Sequence, residues 1–255
     1  MPARSLLIAI DGISAAGKSS LVARAATAFG WVALAEAYDR LEPRPRIGVT
    51  SDRALARVER LLLEAEADRW RAARELCARG RTVVADTGFL GPLTYSWALE
   101  ALGTARPPLL RGLVARTRRL AGRGAWGMPD VVVYLATGAA TRRRRAAADP
   151  VRHPPALAAR HEAVGRVEER FYAELLPRAF PGRVRRIDGD RPLAPLVAAL
   201  GRTVRGVVPL SPRARGARRV LDLLAETPPP PATFARRRAR ATVKKTPLRA
   251  GAPLR

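Results

Sequence analysis

Cysteine occurs once in this sequence, at Cys77, and lysine only at Lys18, Lys244 and Lys245. A single thiol excludes an internal disulfide, so the fold is not a disulfide-stapled scaffold. Aromatic residues make up 5% of the chain, and 22 acids stand against 47 basic residues. No apolar run approaches the roughly 20 residues of a membrane-spanning helix. The first run, Leu6–Ile10, is too short for the apolar centre of a secretory leader and ends in Asp11. The expectation from these absences is a cytoplasmic protein without a membrane partner.

What is present suits one α/β domain, or one domain plus a tail. The chain has 255 residues, 47% of them hydrophobic, which is enough for a sizeable core. The formal charge of +25 is carried almost wholly by arginine. Much of that reads as a compositional bias of a GC-rich genome. The charge is nonetheless uneven: beyond Arg202 the only acids are Asp222 and Glu226, and the run Pro228–Pro231 precedes Arg236–Arg238. We expect residues 1–206 to form the domain. Residues 207–255 read as a basic, Pro/Arg-rich, disordered tail, with Val220–Leu224 a short helix at most. Such a tail either binds polyanions weakly and loses them with salt, or its charges only keep it soluble. The sequence leaves the oligomeric state open, a homodimer included.

Apolar periodicity alternates along the domain. Strands are expected at Leu6–Ile10, Trp31–Ala35, Thr82–Ala85, Val131–Leu135 and Arg183–Ile187. Helices are expected at Lys18–Phe29, Ser51–Arg79, Leu93–Leu102, Pro107–Ala121, Ala139–Ala148, Ala156–Leu176 and Pro192–Val204. Strands separated by helices imply a doubly wound parallel sheet of about five strands with right-handed crossovers.

Between the first strand and the first helix stands Gly12-Ile13-Ser14-Ala15-Ala16-Gly17-Lys18-Ser19, a complete G-x-x-x-x-G-K-[ST]. Glycines there let the backbone curl so that its N–H groups surround phosphate oxygens, and the following helix presents its positive end. ATP is the expected cofactor, cradled by Gly12, Ser14, Ala15, Ala16, Gly17, Lys18, Ser19 and Ser20. Lys18 would meet the β- and γ-phosphates and Ser19 would bind Mg²⁺. Asp86 closes a buried strand at the edge where open α/β sheets hold ligands, so it is a second Mg²⁺ candidate and a catalytic one. Asp11 is either an acceptor contact or a turn residue. Phe89, Tyr95, Trp97 and Trp70 either stack on a base or fill the core.

The order of these landmarks resembles the thymidylate kinase and deoxynucleoside kinase group of P-loop kinases. The resemblance runs through Ile8–Gly12 with Gly17–Ser20, Leu61–Leu63 with Ala67–Trp70, Val83–Asp86, Pro129–Leu135 and Ile187–Gly189. It implies a P-loop fold with a helical lid and transfer of the ATP γ-phosphoryl to a nucleoside or nucleoside monophosphate. It further implies that Arg69 holds an acceptor phosphate, that Glu36 takes the acceptor's proton with Asp39 as competitor, and that the lid arginines lie in Arg142–Arg145 and Arg152. Arg144 is the lid residue expected to be catalytic, and Phe89 a substrate contact. Thr87 stands where the group has arginine after the strand-end acid, which leaves the acceptor open. The phosphate loop also resembles that of chloramphenicol phosphotransferases, so a small-molecule kinase is an alternative. A nucleic-acid-associated ATPase is a further one, ranked lower because no second acid adjoins Asp86.

Overall fold

The computed structural model describes residues 5–45, 52–105, 108–210 and 215–227, with side chains from 217 in the last segment. The expected sites at Ser51 and Pro107, and the basic cluster beyond 228, lie outside the described residues.

Five strands form one parallel sheet: β1 (Leu7–Asp11), β2 (Val32–Leu34), β3 (Val83–Asp86), β4 (Val131–Ala136) and β5 (Val184–Asp188), in the order β2-β3-β1-β4-β5. β1 is central, with Ile10 opposite Asp86 on one side and Asp11 opposite Tyr134 on the other. That register brings Asp11 and Asp86 to one edge of the sheet. The strand order reverses between β3 and β4, and such a switch point opens a crevice at the strands' carboxyl ends.

Alternation along the strands feeds two cores. Ile8, Ile10, Val84, Val131, Val133 and Leu135 meet α1 (Lys18–Phe29) and α8 (Leu193–Val204). Leu7, Val83, Ala85, Val132 and Tyr134 face a larger layer. That layer is built from α2 (Asp52–Ala78), α3 (Gly91–Ala101), α4 (Leu109–Gly122) and α7 (Leu176–Ala179). α5 (Ala139–Ala148) and α6 (Ala158–Arg170) rise over the crevice. Burial on both faces explains why β1, β3 and β4 are nearly continuous apolar runs.

Two expectations shift. The long helix does not stop before Pro177. α6 passes through a π-helical turn, Phe171–Leu175, and α7 continues to Ala179. Proline at the start of α7 needs no backbone N–H there, so the break in hydrogen bonding accommodates it. The second concerns the boundary expected at 206. A ninth helix, α9 (Arg215–Glu226), buries Ala217, Val220, Leu221 and Leu224 in the larger core. Leu210 N–H donates to Asp130 Oδ1 at 2.6 Å, and Trp97 Nε1 donates to the Thr227 carbonyl at 3.3 Å. Three large apolar side chains on one helical face, each contributing about 1.5–3 kcal/mol when buried, hold this segment on the domain. The packed unit thus extends to Thr227. Composition hid this, because arginines between the apolar positions masked the period.

Candidate functional site

The crevice is one open cleft of ≈ 1250 Å³ with the phosphate loop at one end. Gly12, Ser14, Ala15, Ala16, Gly17, Lys18, Ser19 and Ser20 all line it. Gly17 has φ 97°, a backbone conformation that requires glycine, and a Cβ there would lie 2.9 Å from the movable end of Arg145, at Nη1. Ala15 also has positive φ, 61°. Lys18 Nζ crosses the loop and donates to the Gly12 carbonyl at 2.8 Å.

Behind the loop, Asp11 is buried. Its Oδ1 accepts from Gly88 N–H at 2.9 Å and from the Tyr172 hydroxyl at 3.1 Å. Burial raises its pKa, and those hydrogen bonds oppose the rise. A Cβ on Gly88 would sit 2.3 Å from Asp11 Oδ2, so this contact exists only because residue 88 is glycine. Asp11 therefore ties β1 to the turn after β3 and does not line the cleft. Asp86 is buried beside it with Oδ1 unpartnered, and Asp11 Oδ2 is unpartnered too. Hydroxyl and carboxylate oxygens suit a hard cation such as Mg²⁺. Ser19 lines the cleft, whereas Asp86, like Asp11, lies behind the lining, so its orphaned oxygen is what fits it to the expected metal set of Ser19 and Asp86.

Thr87 follows with φ 62°. A β-branched residue in the left-handed region carries strain, about 1–3 kcal/mol, and persists only where its surroundings impose it. Arg69 imposes it. Its Nη2 donates to the Asp86 carbonyl at 2.8 Å and the Thr87 carbonyl at 3.1 Å, while Nη1 pairs with Glu66. Arg69 is fully buried, stacks 5.3 Å over the Phe89 ring and does not line the cleft. The acceptor-phosphate role expected of Arg69 is corrected: its guanidinium is consumed inside the protein. Burial pushes Glu66 up to about 7 against the pull of Arg69.

Phe89 is corrected in the same way. It is 1% exposed and packs edge-on against Trp70 at 5.3 Å. Trp97 is likewise core, and of the four aromatics considered only Tyr95 lines the cleft.

On the lid, Arg144 is exposed and faces away from the cleft. One position along the helix turns the side chain by about 100°, and Arg145 is the residue that reaches the loop. Its guanidinium donates to the Ala16 carbonyl and, at 3.0 Å, to the Gly189 carbonyl. Arg142 is spent on the Thr137 carbonyl and Glu162. Between α5 and α6, Arg152 bridges Glu36 at 3.3 Å and Asp39 at 3.2 Å. Glu36 and Asp39 both line the cleft, after β2. His153, given no role from sequence, has Nδ1 3.1 Å from the Ser14 hydroxyl, and burial lowers its pKa.

The helical wall of the cleft was missed. Leu55, Val58, Glu59, Leu62 and Glu66 of α2 line it, with Tyr95 of α3 and Arg160 and Glu168 of α6. Burial pushes Glu59 up to about 8 and Glu168 up to about 7. A signal existed: Glu59 falls on the apolar stripe of α2, where acids are out of place.

No family model and no curated protein sequence matches the chain. Solved structures do. The deoxyadenosine kinase of M. mycoides with bound dATP matches at a TM-score of 0.64 and 14% identity. The same enzyme matches at 0.59 and 14% with products dCMP and a flexible dCDP, and at 0.55 and 13% with bound dCTP. Each match covers 78% of this chain and 99% of the other. The chain has the fold of a deoxyadenosine kinase, wound around a phosphate loop.

Proposed function

We propose that this protein transfers the γ-phosphoryl group of ATP to a hydroxyl of a nucleoside. One observation carries the reading: the phosphate loop, the Glu36–Asp39 pair and a half-apolar chamber share a single cleft. A phosphoryl donor and a small acceptor can therefore meet in line beside a carboxylate. The solved deoxyadenosine kinase structures of the same fold hold dATP, dCTP and dCMP, which agrees with a nucleoside acceptor. Against a nucleoside monophosphate stands the commitment of Arg69 to Glu66 and the β3 carbonyls.

Catalysis in this reading is positioning and charge neutralisation. Backbone N–H groups of Ala15–Ser19 hold phosphate oxygens, and Lys18 places a point charge on them. Ser19 and Asp86 would hold Mg²⁺, whose chemistry there would be neutralisation of phosphate charge. Glu36 accepts the acceptor's hydroxyl proton once Arg152 swings from it, and Arg145 braces the loop from the lid. The test is ADP release over a panel of nucleosides and nucleoside monophosphates. Turnover with a nucleoside supports the reading. Activity only with monophosphates, or ATP hydrolysis indifferent to every acceptor, refutes it.

A further inference from the structure

The lid meets the phosphate loop through side chains of unlike character. Arg145 donates to the Ala16 carbonyl, a group that any residue at 16 would present. Between α5 and α6, His153 makes a more particular contact. Its Nδ1 lies 3.1 Å from the Ser14 hydroxyl, so both side chains are needed. Both residues line the cleft, and the Lys18 ammonium is near enough to disfavour charge on the His153 ring. The contact therefore stands at the phosphate end of the cleft.

The turn that carries His153 is stiff but thinly anchored. Prolines at 150, 154 and 155 restrict its backbone. Asp149 accepts from Arg152 N–H at 3.1 Å through Oδ1 and from His153 N–H at 3.0 Å through its carbonyl. None of residues 149–157 is buried, and Val151 is 92% exposed, so apolar packing does not hold the turn down. Arg152 reaches Glu36 and Asp39, but ion pairs this exposed hold little. The partly buried His153–Ser14 bond is the contact left to fix the turn against the loop.

We infer that His153 is a positioning residue: through Ser14 it seats the α5–α6 turn on the phosphate loop and so closes the cleft over the donor's phosphates. Its part in turnover rests on the phosphotransferase reading of the cleft. A hydroxyl both donates and accepts, so it bonds a bare Nδ1 or a protonated one, and the seat does not depend on the charge of the ring. A stiff turn fixed at one point moves as a unit. Loss of that point lets the lid lift and water enter. The loop keeps its own hold on phosphate through its backbone and Lys18. The loss therefore falls on kcat and spares the KM for ATP.

The test joins hydrogen exchange of the 149–157 amides, in ATP and Mg²⁺, to steady-state kinetics with the nucleoside that most stimulates ADP release. His153→Ala should speed exchange in the turn about tenfold and lower kcat about tenfold. Its KM for ATP should stay within about threefold, and its melting temperature within a degree or two of wild type. Ser14→Ala should do the same. The double variant should be no worse than either single one, whereas independent roles would multiply to about a hundredfold. His153→Asn carries a polar atom on Cγ, where Nδ1 stands, and should restore both readouts. His153→Gln carries its polar atoms one bond farther out and should not. Unchanged exchange in His153→Ala, a multiplicative double variant, or rescue by Gln as full as by Asn overturns the inference. Altered exchange without ADP release to any acceptor keeps the seat and sinks the phosphotransferase. Nucleoside-stimulated ADP release untouched by His153→Ala sinks His153 instead.

Discussion

The two ends of the cleft are built by different means. At the loop end the lining comes from one short stretch of chain, Gly12 and residues 14–20, shaped by glycine conformation and by the start of α1. Elsewhere in the cleft the lining is drawn from α2, α3 and α6, residues 55 to 168 in sequence. A backbone site binds what all its ligands share, here phosphate, and tolerates most changes around it. A side-chain site is set residue by residue, so the acceptor end is where a different small molecule could be read by the same fold.

This contrast predicts unequal damage. Lys18→Ala should lower turnover by about a thousandfold, because one preorganised charge at a transferring phosphoryl group is worth roughly 10²–10³ or more. The melting temperature should stay within a degree or two, since Lys18 bonds only to loop carbonyls. Wild-type turnover in a folded Lys18→Ala protein would remove the loop from the chemistry. Asp86→Asn should cost less, about a hundredfold, and should raise the Mg²⁺ concentration needed for half-maximal rate while ATP binding is nearly kept. An unchanged Mg²⁺ titration would remove Asp86 from the metal site.

The same contrast governs what could be read in advance. The loop was legible because its chemistry is written in consecutive residues, and the strands because burial on both faces makes unbroken apolar runs. The place of Asp86 at the end of β3 was legible from the buried run before it. Arg69 and Phe89 were misassigned because sequence places a residue on an element without saying which side it faces. Here α2 turns Arg69 under the sheet to hold Thr87. The arginine that reaches the loop lies one position from the one expected, since four arginines in succession carry no periodic signal. Glu59 and Glu168 required knowing that α2 and α6 face each other across one chamber. α9 was undervalued because charge outweighed its four buried residues.

The lid offers a sharper comparison within one helix. Arg145→Ala should reduce kcat about ten- to hundredfold, having removed the guanidinium that bridges the Ala16 and Gly189 carbonyls. Arg144→Ala should leave kcat and KM within twofold, as an exposed arginine with the cleft on the helix's other side. Equal effects from the two substitutions would mean that the lid seats differently during turnover, and would restore Arg144 as a candidate.

The smallest effect separates the two ends by pH. Glu59, Glu66 and Glu168 are carboxyls whose folded pKa values, about 8, about 7 and about 7, lie above their ordinary 4.5. The folded state therefore binds more protons than the unfolded chain between those limits. Stability from these groups is complete below pH 4.5 and is lost as pH rises toward 8. His153 and His161, whose pKa values burial lowers, act in the opposite sense and only below their ordinary 6.5. Between pH 6.5 and 8.5 the slope thus belongs to the acids, and the melting temperature should fall. A domain of this size moves roughly 2–4 °C per kcal/mol. Glu59→Gln should flatten the upper half of that fall, because an amide has no proton to lose, and Lys18→Ala should leave it unchanged. A wild-type melting temperature that is level from pH 6.5 to 8.5, or a Glu59→Gln profile parallel to wild type, would show that Glu59 is ionised at neutral pH. The acceptor end would then present a negative charge, and its ligand would have to bring donors only.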